Sequence, residues 1–435
     1  MKPARTALPL ALLALALSPA VGAATVLHCG ALFDPDEGTR AGPHTVVVDG
    51  DRITAVERGH SRPDGADVVD LAGLTCSPGW IDLHVHLGTE SGPGRYVEGF
   101  RLEPEHFAFR SVNYARRTLE AGFTTVRDMG GELALPLRDA INEGTLPGPH
   151  VIAAGRSIAT TGGHADPSNG MNRRIRTALG TPGPTEGVVN GPDEARQAVR
   201  QRYQDGSDTI KITATGGVLS YARSGDGPQF TVEEIEAIVA TARDYGYVVA
   251  AHAHGREGIR RAIVGGVDTI EHGTYMDDEL FALMRRHGTW YVPTISAGRF
   301  VQEKSRIDGY YPEIVRPKAA TIGGLIQDTL GRAHRAGVKI AFGTDAGVSY
   351  HGDNAEEFVF MVEAGMTPLQ ALRAATASAA EALRMQEEIG RIRPGLRADV
   401  IAIHGDPVAD IQAVREVRFV MKSGRVERHD GPPEA

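Results

Sequence analysis

The feature that most constrains the fold is an alternation of short strand-like runs with helix-length amphipathic stretches through the middle of the chain. The strand-like runs are residues 80–83, 124–127, 150–153, 209–212, 248–251, 269–271, 290–292 and 339–342. Helical stretches between them include residues 107–121, 232–245, 278–287 and 322–336. This alternation is typical of βα units and a parallel sheet. Eight such units predict an α/β fold, a (β/α)8 TIM barrel over residues 79–389. A doubly wound open sheet is the alternative.

Both chain ends have a different pattern, with short apolar runs separated by turn residues. These runs are residues 25–27, 45–48, 53–56 and 68–71 near the start, and 399–403, 417–421 and 425–427 near the end. Asp49-Gly50 and Ser423-Gly424 are turn signals between neighbouring runs. The pattern predicts a small β-sandwich domain formed by residues 25–78 and 390–435 together.

Residues 1–24 have the layout of a secretory signal peptide. Lys2 and Arg5 precede an apolar run at 8–17, and small residues follow at 18–24. The alternative is an uncleaved membrane anchor, but the run is shorter than the roughly 20 apolar residues that span a bilayer. We therefore expect a periplasmic or secreted protein with no membrane attachment after cleavage.

The charge of the chain bears on its partners. The formal net charge is −9, and no basic stripe occurs. Since nucleic-acid binding depends on neutralising phosphates, this composition argues against a nucleic-acid partner. The chain has two cysteines, Cys29 and Cys76. In an oxidising compartment they can form a disulfide, or they can remain two unpaired buried thiols.

Candidate metal ligands follow the predicted barrel strands, where the functional groups of such a barrel gather. His84 and His86 lie two apart on an extended segment, so their side chains point to the same side. Neutral imidazole and carboxylate are the ligands expected of a catalytic zinc site. The full set is His84, His86, Lys211, His252, His272 and Asp345.

Lys211 is unusual in such a set because an ammonium repels a dication. The lysine fits if its amine has added CO2 to become a carbamate, an anion that can bridge two cations. That step requires desolvation or nearby positive charge, so that the amine loses its proton. An ordinary lysine paired with an acid is the alternative, and position alone leaves both open.

The order of these residues resembles the binuclear-metal branch of the amidohydrolase superfamily. The segments 78–82 (PGWID), 343–345 (GTD) and 390–399 (GRIRPGLRAD) share the resemblance, which spans nearly the whole mature chain. It implies two divalent ions, most often zinc, one held by His84 and His86 and the other by His252 and His272. It also implies that carbamylated Lys211 bridges them and that Asp345 is both a ligand and a proton carrier.

Three further segments are similar to one subgroup of that superfamily: 161–164 (TGGH), 216–218 (GGV) and 251–255 (AHAHG). The subgroup contains Xaa-Pro dipeptidases, carboxypeptidases and ochratoxin-degrading amidohydrolases. The resemblance implies a homo-oligomer that uses a metal-bridging hydroxide to cleave an amide or peptide bond next to a C-terminal amino acid. The expected small-molecule substrates are dipeptides, N-acyl amino acids and ochratoxin-type amides. A leader peptide departs from the cytosolic dipeptidases of the group.

The remaining site candidates follow from this chemistry. Asp345 would take the proton of the water and pass it to the departing amine. His254 and His164, with Tyr221 third, are candidate donors to the carbonyl oxygen. Arg223 is a candidate partner for a substrate carboxylate, because its fork matches two oxygens. Alternatively, His254 braces a metal ligand, and His164, Tyr221 and Arg223 are exposed residues without a role.

Two other functions stay open on the sequence. One is a lactonase or phosphotriester hydrolase on the same binuclear barrel, although such enzymes usually lack a flanking sheet domain. The other is a non-catalytic exported scaffold that binds metal. The presence of every ligand type argues against the scaffold.

Overall fold

The structure is a computed structural model that describes residues 24–221 and 224–430. Its strands are β1 (Thr25–Asp34), β2 (Gly38–Arg40), β3 (His44–Asp49), β4 (Arg52–Arg58), β5 (Asp67–Pro78), β6 (Trp80–Val85), β7 (Phe123–Asp128), β8 (His150–Ala153), β9 (Ala159–Thr160), β10 (Val188–Val189), β11 (Ile210–Thr213), β12 (Val249–Ala253), β13 (Thr269–His272), β14 (Trp290–Val292), β15 (Val400–Ile403), β16 (Val417–Lys422) and β17 (Arg425–His429). The predicted signal peptide lies outside the described residues, apart from Ala24.

The helices are α1 (Arg95–Glu98), α2 (Pro104–Glu120), α3 (Ala134–Asn142), α4 (Arg173–Leu179), α5 (Pro192–Asp205), α6 (Val232–Asp244), α7 (Arg256–Val264), α8 (Asp278–His287), α9 (Ile295–Lys304), α10 (Arg316–Arg335), α11 (Glu356–Glu363), α12 (Pro368–Ala374) and α13 (Ala377–Ala382). Short 3-10 helices occupy Pro184–Glu186 and Ile411–Arg415. Local sequence explains the helix ends. Thr231 accepts a hydrogen bond from the Glu234 amide at the start of α6, and Gly288 ends α8 with a left-handed φ of 72°.

The central strands are parallel and follow one another around the site. They form two sheets, β6-β7-β8 and β11-β12-β13-β14, linked by the parallel bridges Ile158–Ile212, Tyr291–Ile340 and Val85–Ala346. The arrangement is TIM-barrel-like. The predicted eighth strand, 339–342, forms an isolated bridge instead of a strand, although it lies between β14 and β6. Its backbone bonds to both neighbours: the Tyr291 amide donates to Lys339 and the Leu83 amide donates to Phe342.

Strands from both chain ends share one sheet in the order β17-β16-β15-β5-β1-β3-β4, with β2 also paired to β1. Strand β5 joins the two ends, because it is parallel to β1 and antiparallel to β15. The predicted turns are present: Gly50, Ser423 and Gly424 all have positive φ. The structure shows a hydrogen-bonded sheet here, while the two-layered β-sandwich and the domain boundaries stay predictions.

Cys29 and Cys76 form a disulfide between β1 and β5, with their Cα atoms 5.7 Å apart. Of the two alternatives left open by the sequence, the structure therefore has the bridge. The bridge is fully buried within an apolar cluster that includes Leu27, Val400 and Phe419. Separately, none of the helices in the described ranges is long and apolar enough to cross a membrane.

Candidate active site

A cavity of about 300 Å³ opens at the carboxyl ends of the parallel strands. Every predicted metal ligand and both predicted histidine donors line it: His84, His86, His164, Lys211, His252, His254, His272 and Asp345. The strands bring these residues together because carboxyl ends of parallel strands meet at one edge of a barrel.

The His84 imidazole is oriented by a buried carboxylate on the side away from the cavity. Its Nδ1 lies 2.8 Å from a Glu271 carboxylate oxygen, and both side chains are almost fully buried. Its Nε2 faces the cavity, 3.2 Å from Lys211 Nζ and 3.8 Å from Asp345 Oδ1. A carboxylate on the far nitrogen orients a ligating histidine and raises its basicity.

Four more imidazoles of the cavity are also anchored by one ring nitrogen. Nδ1 of His86 lies 3.0 Å from the Gly130 carbonyl, and its Nε2 lies 3.4 Å from Asp345 Oδ1. Nδ1 of His254 and of His272 contacts a threonine hydroxyl, Thr274 and Thr294 respectively. His252 uses the opposite nitrogen, with Nε2 3.1 Å from the Gly216 carbonyl. Each ring thus keeps one nitrogen for another partner.

Burial keeps all of these imidazoles neutral. It lowers the pKa of His86 and His164 to about 3 and that of His254 to about 4. The pKa values of His84, His252 and His272 are also held well below the ordinary value, again chiefly by burial. A neutral imidazole has a lone pair to donate, so the group suits a cation.

Lys211 and Asp345 are buried at the centre of the site. Desolvation lowers the pKa of the Lys211 ammonium and raises the pKa of the Asp345 carboxyl. Asp345 has a positive φ of 57°, and His272 one of 71°, a strained conformation that is common at functional sites. Oδ1 of Asp345 is buried without a hydrogen-bond partner within the part of the chain that the structure describes.

These side chains fit a divalent cation. Two groups each offer ligand atoms within 4.8 Å of one another: His252 with His254 and His272, and His84 with His272 and Asp345. The first group contains His254, which the sequence assigned to the carbonyl oxygen instead of the metal. The division of ligands between two ions stays a prediction.

A second layer of buried charge, which the sequence did not reveal, lies beneath the ligands. Arg127 donates from Nη2 to Glu271 at 2.8 Å and from Nε to the Leu83 carbonyl at 2.7 Å. Both side chains are 0 % exposed. An arginine and an acid within two fully buried strands are the corresponding sequence features, but their pairing is a tertiary contact.

Asp82 holds the first and last parts of the barrel together. Its carboxylate accepts hydrogen bonds from the His84 amide, from the amide and hydroxyl of Thr344, and from the Asn354 side chain. Burial nevertheless raises its pKa to about 6. The contact places the Asp345 backbone beside His84, so it sets the distance between two candidate ligands.

His164 is positioned as a free donor. Its ring stacks on His252 with centroids 4.3 Å apart, and its Nδ1 is buried without a partner in the described ranges. A Cβ at Gly217 would overlap this ring, so the glycine is required for the stack. His164 is therefore held by packing, and its ring nitrogens are left for a ligand in the cavity.

The predicted substrate-binding residues are placed differently. Tyr221 is 40% exposed and is not among the residues lining the cavity, and its ring contacts Tyr96 edge-on at 5.6 Å. As a donor to the carbonyl oxygen it is thus less well placed than His164 or His254. Arg223 lies outside the described residues.

The sequence missed two parts of the cavity wall. One part is Arg95 from α1, whose charge adds to the effect of burial in lowering the pKa of the His86 imidazole and opposes burial, which raises the pKa of the Asp345 carboxyl. The other part is apolar and comes mainly from α9, α10 and the segment after Asp345: Ala297, Val301, Ile322, Ile326 and Val348. Loop and helix residues of this kind carry no periodic signal, and only the fold brings them to the site.

Comparison with known proteins is consistent with this geometry. The profile of the amidohydrolase family matches residues 75–426. The ochratoxinase of Aspergillus niger is 34% identical over 368 residues, which cover 81% of this chain and 76% of the relative. A Xaa-Pro dipeptidase with bound methionine in its active site is 50% identical, has a TM-score of 0.90, and is matched over 93% of this chain and 100% of its own. A prolidase complexed with N-methylphosphonate-L-proline is 32% identical, with a TM-score of 0.84 and the same coverage.

Proposed function

The chain belongs to the amidohydrolase family, and from this premise we propose that it is a binuclear metal-dependent hydrolase that cleaves the amide or peptide bond next to a C-terminal amino acid. The observation that carries the proposal is the buried group of neutral imidazoles around Asp345, whose Oδ1 accepts no hydrogen bond from any described residue. Such a group is costly to bury unless a cation balances it. The exact (β/α)8 barrel belongs to the same proposal.

In this proposal His84 and His86 hold one zinc ion, His252 and His272 hold the other, and Asp345 and a carbamate on Lys211 complete the site. When bound, the two cations supply a more acidic water and a polarised scissile carbonyl. Lys211 supports the carbamate because it is 4% exposed and burial lowers its pKa. Its unprotonated amine forms an N–C bond to CO2 and releases a proton.

Asp345 moves the proton in the proposed reaction. Burial raises the pKa of its carboxyl, so one oxygen can accept a proton near neutral pH and give it up again. It passes that proton to the nitrogen of the departing amine, which is a poor leaving group without one. His164 and His254, both neutral, direct a ring N–H toward the carbonyl oxygen where negative charge develops.

The proposed substrates are dipeptides, N-acyl amino acids and ochratoxin-type amides. A methionine bound in the related dipeptidase and the ochratoxinase name of another relative support this class. The apolar wall from α9 and α10 suits an apolar side chain. Export to the periplasm or exterior and a homo-oligomer are also proposed, and they are tested by cell fractionation and by light scattering.

The test is chelation followed by reconstitution with zinc, cobalt or manganese on a panel of substrates. The panel contains dipeptides, N-acyl amino acids, lactones and phosphotriesters. We expect metal-dependent cleavage of the dipeptides and N-acyl amino acids. Turnover of lactones or phosphotriesters alone would contradict the amide proposal, and no metal-dependent turnover of any member would favour the scaffold.

A further inference from the structure

Arg95 is a charged residue of the cavity lining that the proposed metal site does not use. It lines the same cavity as His86 and Asp345, and its side chain is half-buried. One side-chain contact is a 3.3 Å hydrogen bond from Nη1 to the Ser91 hydroxyl. Among the described residues, no carboxylate lies within ion-pair distance of its guanidinium.

The acids near this segment pair with other arginines. Glu98, in the same helix, binds Arg110, and Glu90 binds Arg117. The acid in the cavity wall is Asp345, and its positive neighbour Lys211 is part of the proposed metal site. Arg95 is thus the remaining permanent cation on the described part of the cavity wall.

The backbone around Arg95 is tied to the opposite loop. The Tyr96 hydroxyl donates to the Leu219 carbonyl at 3.0 Å, and its ring packs edge-on against Tyr221. Lys318 in turn donates to the Gly217 and Ser220 carbonyls of that loop. These contacts tie α1 to the loop after β11, and Arg95 of α1 lines the same cavity as Asp345.

We propose that Arg95 binds the free carboxylate of the substrate's C-terminal residue and so selects substrates with a free C-terminus. The proposal rests on the proposed function. The carboxylate is attached to the same Cα as the amine nitrogen that Asp345 protonates, so the two groups need partners on one wall. The planar fork of a guanidinium matches two carboxylate oxygens. Sequence reasoning gave this role to Arg223, outside the described residues.

The test compares Arg95→Met and Arg95→Lys with Arg101→Met, an exposed arginine of the same segment. The substrates are N-acetylphenylalanine and N-acetylphenylalaninamide, which differ in the charge of the carboxyl group. We expect Arg95→Met to lower kcat/KM for the acid by about 10- to 100-fold and to leave the carboxamide nearly unchanged. For Arg95→Lys we expect an intermediate loss of kcat/KM for the acid, because lysine keeps the positive charge but not the planar guanidinium. Arg101→Met should match the wild type on both substrates.

A second measurement does not depend on turnover. Calorimetric titration of both compounds into reconstituted and metal-stripped protein gives their affinities directly. We expect the wild type to prefer the acid and Arg95→Met to lose that preference in both forms. If the variant keeps the wild-type preference, or loses both compounds equally, the role of Arg95 is overturned. A wild type that binds the acid but cleaves neither compound would contradict the proposed function and not this inference.

Discussion

The terminal sheet and the carboxyl ends of the central strands are two buried regions with opposite contents. The sheet interior is apolar, with Leu27, Val46 and Phe419 packed around the Cys29–Cys76 bridge. The strand ends instead bury imidazoles, Lys211, Asp345 and the Glu271–Arg127 pair. The interior of the sheet buries hydrocarbon side chains, while the strand ends bury ionisable groups away from water.

This contrast separates the region that stabilises the molecule from the region that carries its chemistry. Burying apolar surface stabilises by about 25 cal/mol per Å², whereas burying a charge destabilises unless a partner compensates. We therefore expect changes in the sheet to alter stability without altering the chemistry. Changes at the strand ends should alter the chemistry first, except where they separate a buried ion pair.

The largest effect is expected at Lys211. Lys211→Ala should lower kcat by about 10³-fold or more and reduce bound metal, because it removes the proposed carbamate. A short carboxylic acid should restore part of the activity. Metal analysis, steady-state kinetics and denaturant unfolding are the measurements. The control is Lys339→Ala, whose ammonium lies over Trp290. Wild-type-like activity of Lys211→Ala without rescue would contradict the role.

The next effect is on the buried ion pair. Arg127→Met leaves the buried Glu271 carboxylate without its cationic partner, so we expect the free energy of unfolding to fall by about 3–5 kcal/mol. Adding Glu271→Gln should recover much of that loss. The exposed Arg116–Glu120 pair is the control, since Arg116→Met should cost less than about 1 kcal/mol. Equal losses in the two single variants would contradict the proposed importance of burial.

A smaller effect is expected from the disulfide. Replacing Cys29 and Cys76 together by alanine should lower the free energy of unfolding by about 2–4 kcal/mol, since the bridge restricts the unfolded chain. Activity per folded molecule should not change, because the bridge lies in the terminal sheet. Thermal unfolding and kcat measured on the same preparation test both parts. A drop in kcat of folded protein would show that the two regions are coupled.

The smallest effect is a pH dependence of stability. Burial lowers the pKa of His164 to about 3 in the folded protein, whereas the imidazole of an unfolded chain has a pKa of about 6.5. As pH falls below about 6.5, the unfolded chain therefore takes up a proton that the folded protein does not. The contribution of neutral His164 to the free energy of unfolding is complete above pH 6.5 and is lost as pH falls toward 3. Burial raises the pKa values of Asp128 and Glu357 to about 7, so these two groups make the folded protein more stable as pH falls. The effect of His164 must therefore be measured as the difference between the wild type and a His164 variant.

With metal chelated, wild-type stability should fall by about 1–2 kcal/mol more than that of His164→Gln between pH 6.5 and pH 5. Urea unfolding at the two pH values gives this difference. His287→Gln, at an exposed histidine, is the control and should follow the wild type. Parallel curves for His164→Gln and the wild type would mean that His164 is not buried in solution.

The sequence predicted the strands and the candidate ligands at their ends because both are local signals. Period and turn residues located seven of the eight central strands, and position after a strand located His84, His252 and His272. The eighth segment, 339–342, has one isolated bridge instead of a strand, and apolar composition does not distinguish the two. Arg95 and the Arg127–Glu271 pair were missed because their roles depend on contacts between residues far apart in the chain.

Strand β5 pairs with β1 on one edge and with β15 on the other, so Pro78 and Val400 are neighbours in the same sheet. Most of the chain must therefore be made before that edge of β5 finds its partner. Until then an apolar strand edge stays open to other chains. The last strands of the chain therefore complete the sheet, and truncation there should cause aggregation more than a loss of catalytic groups.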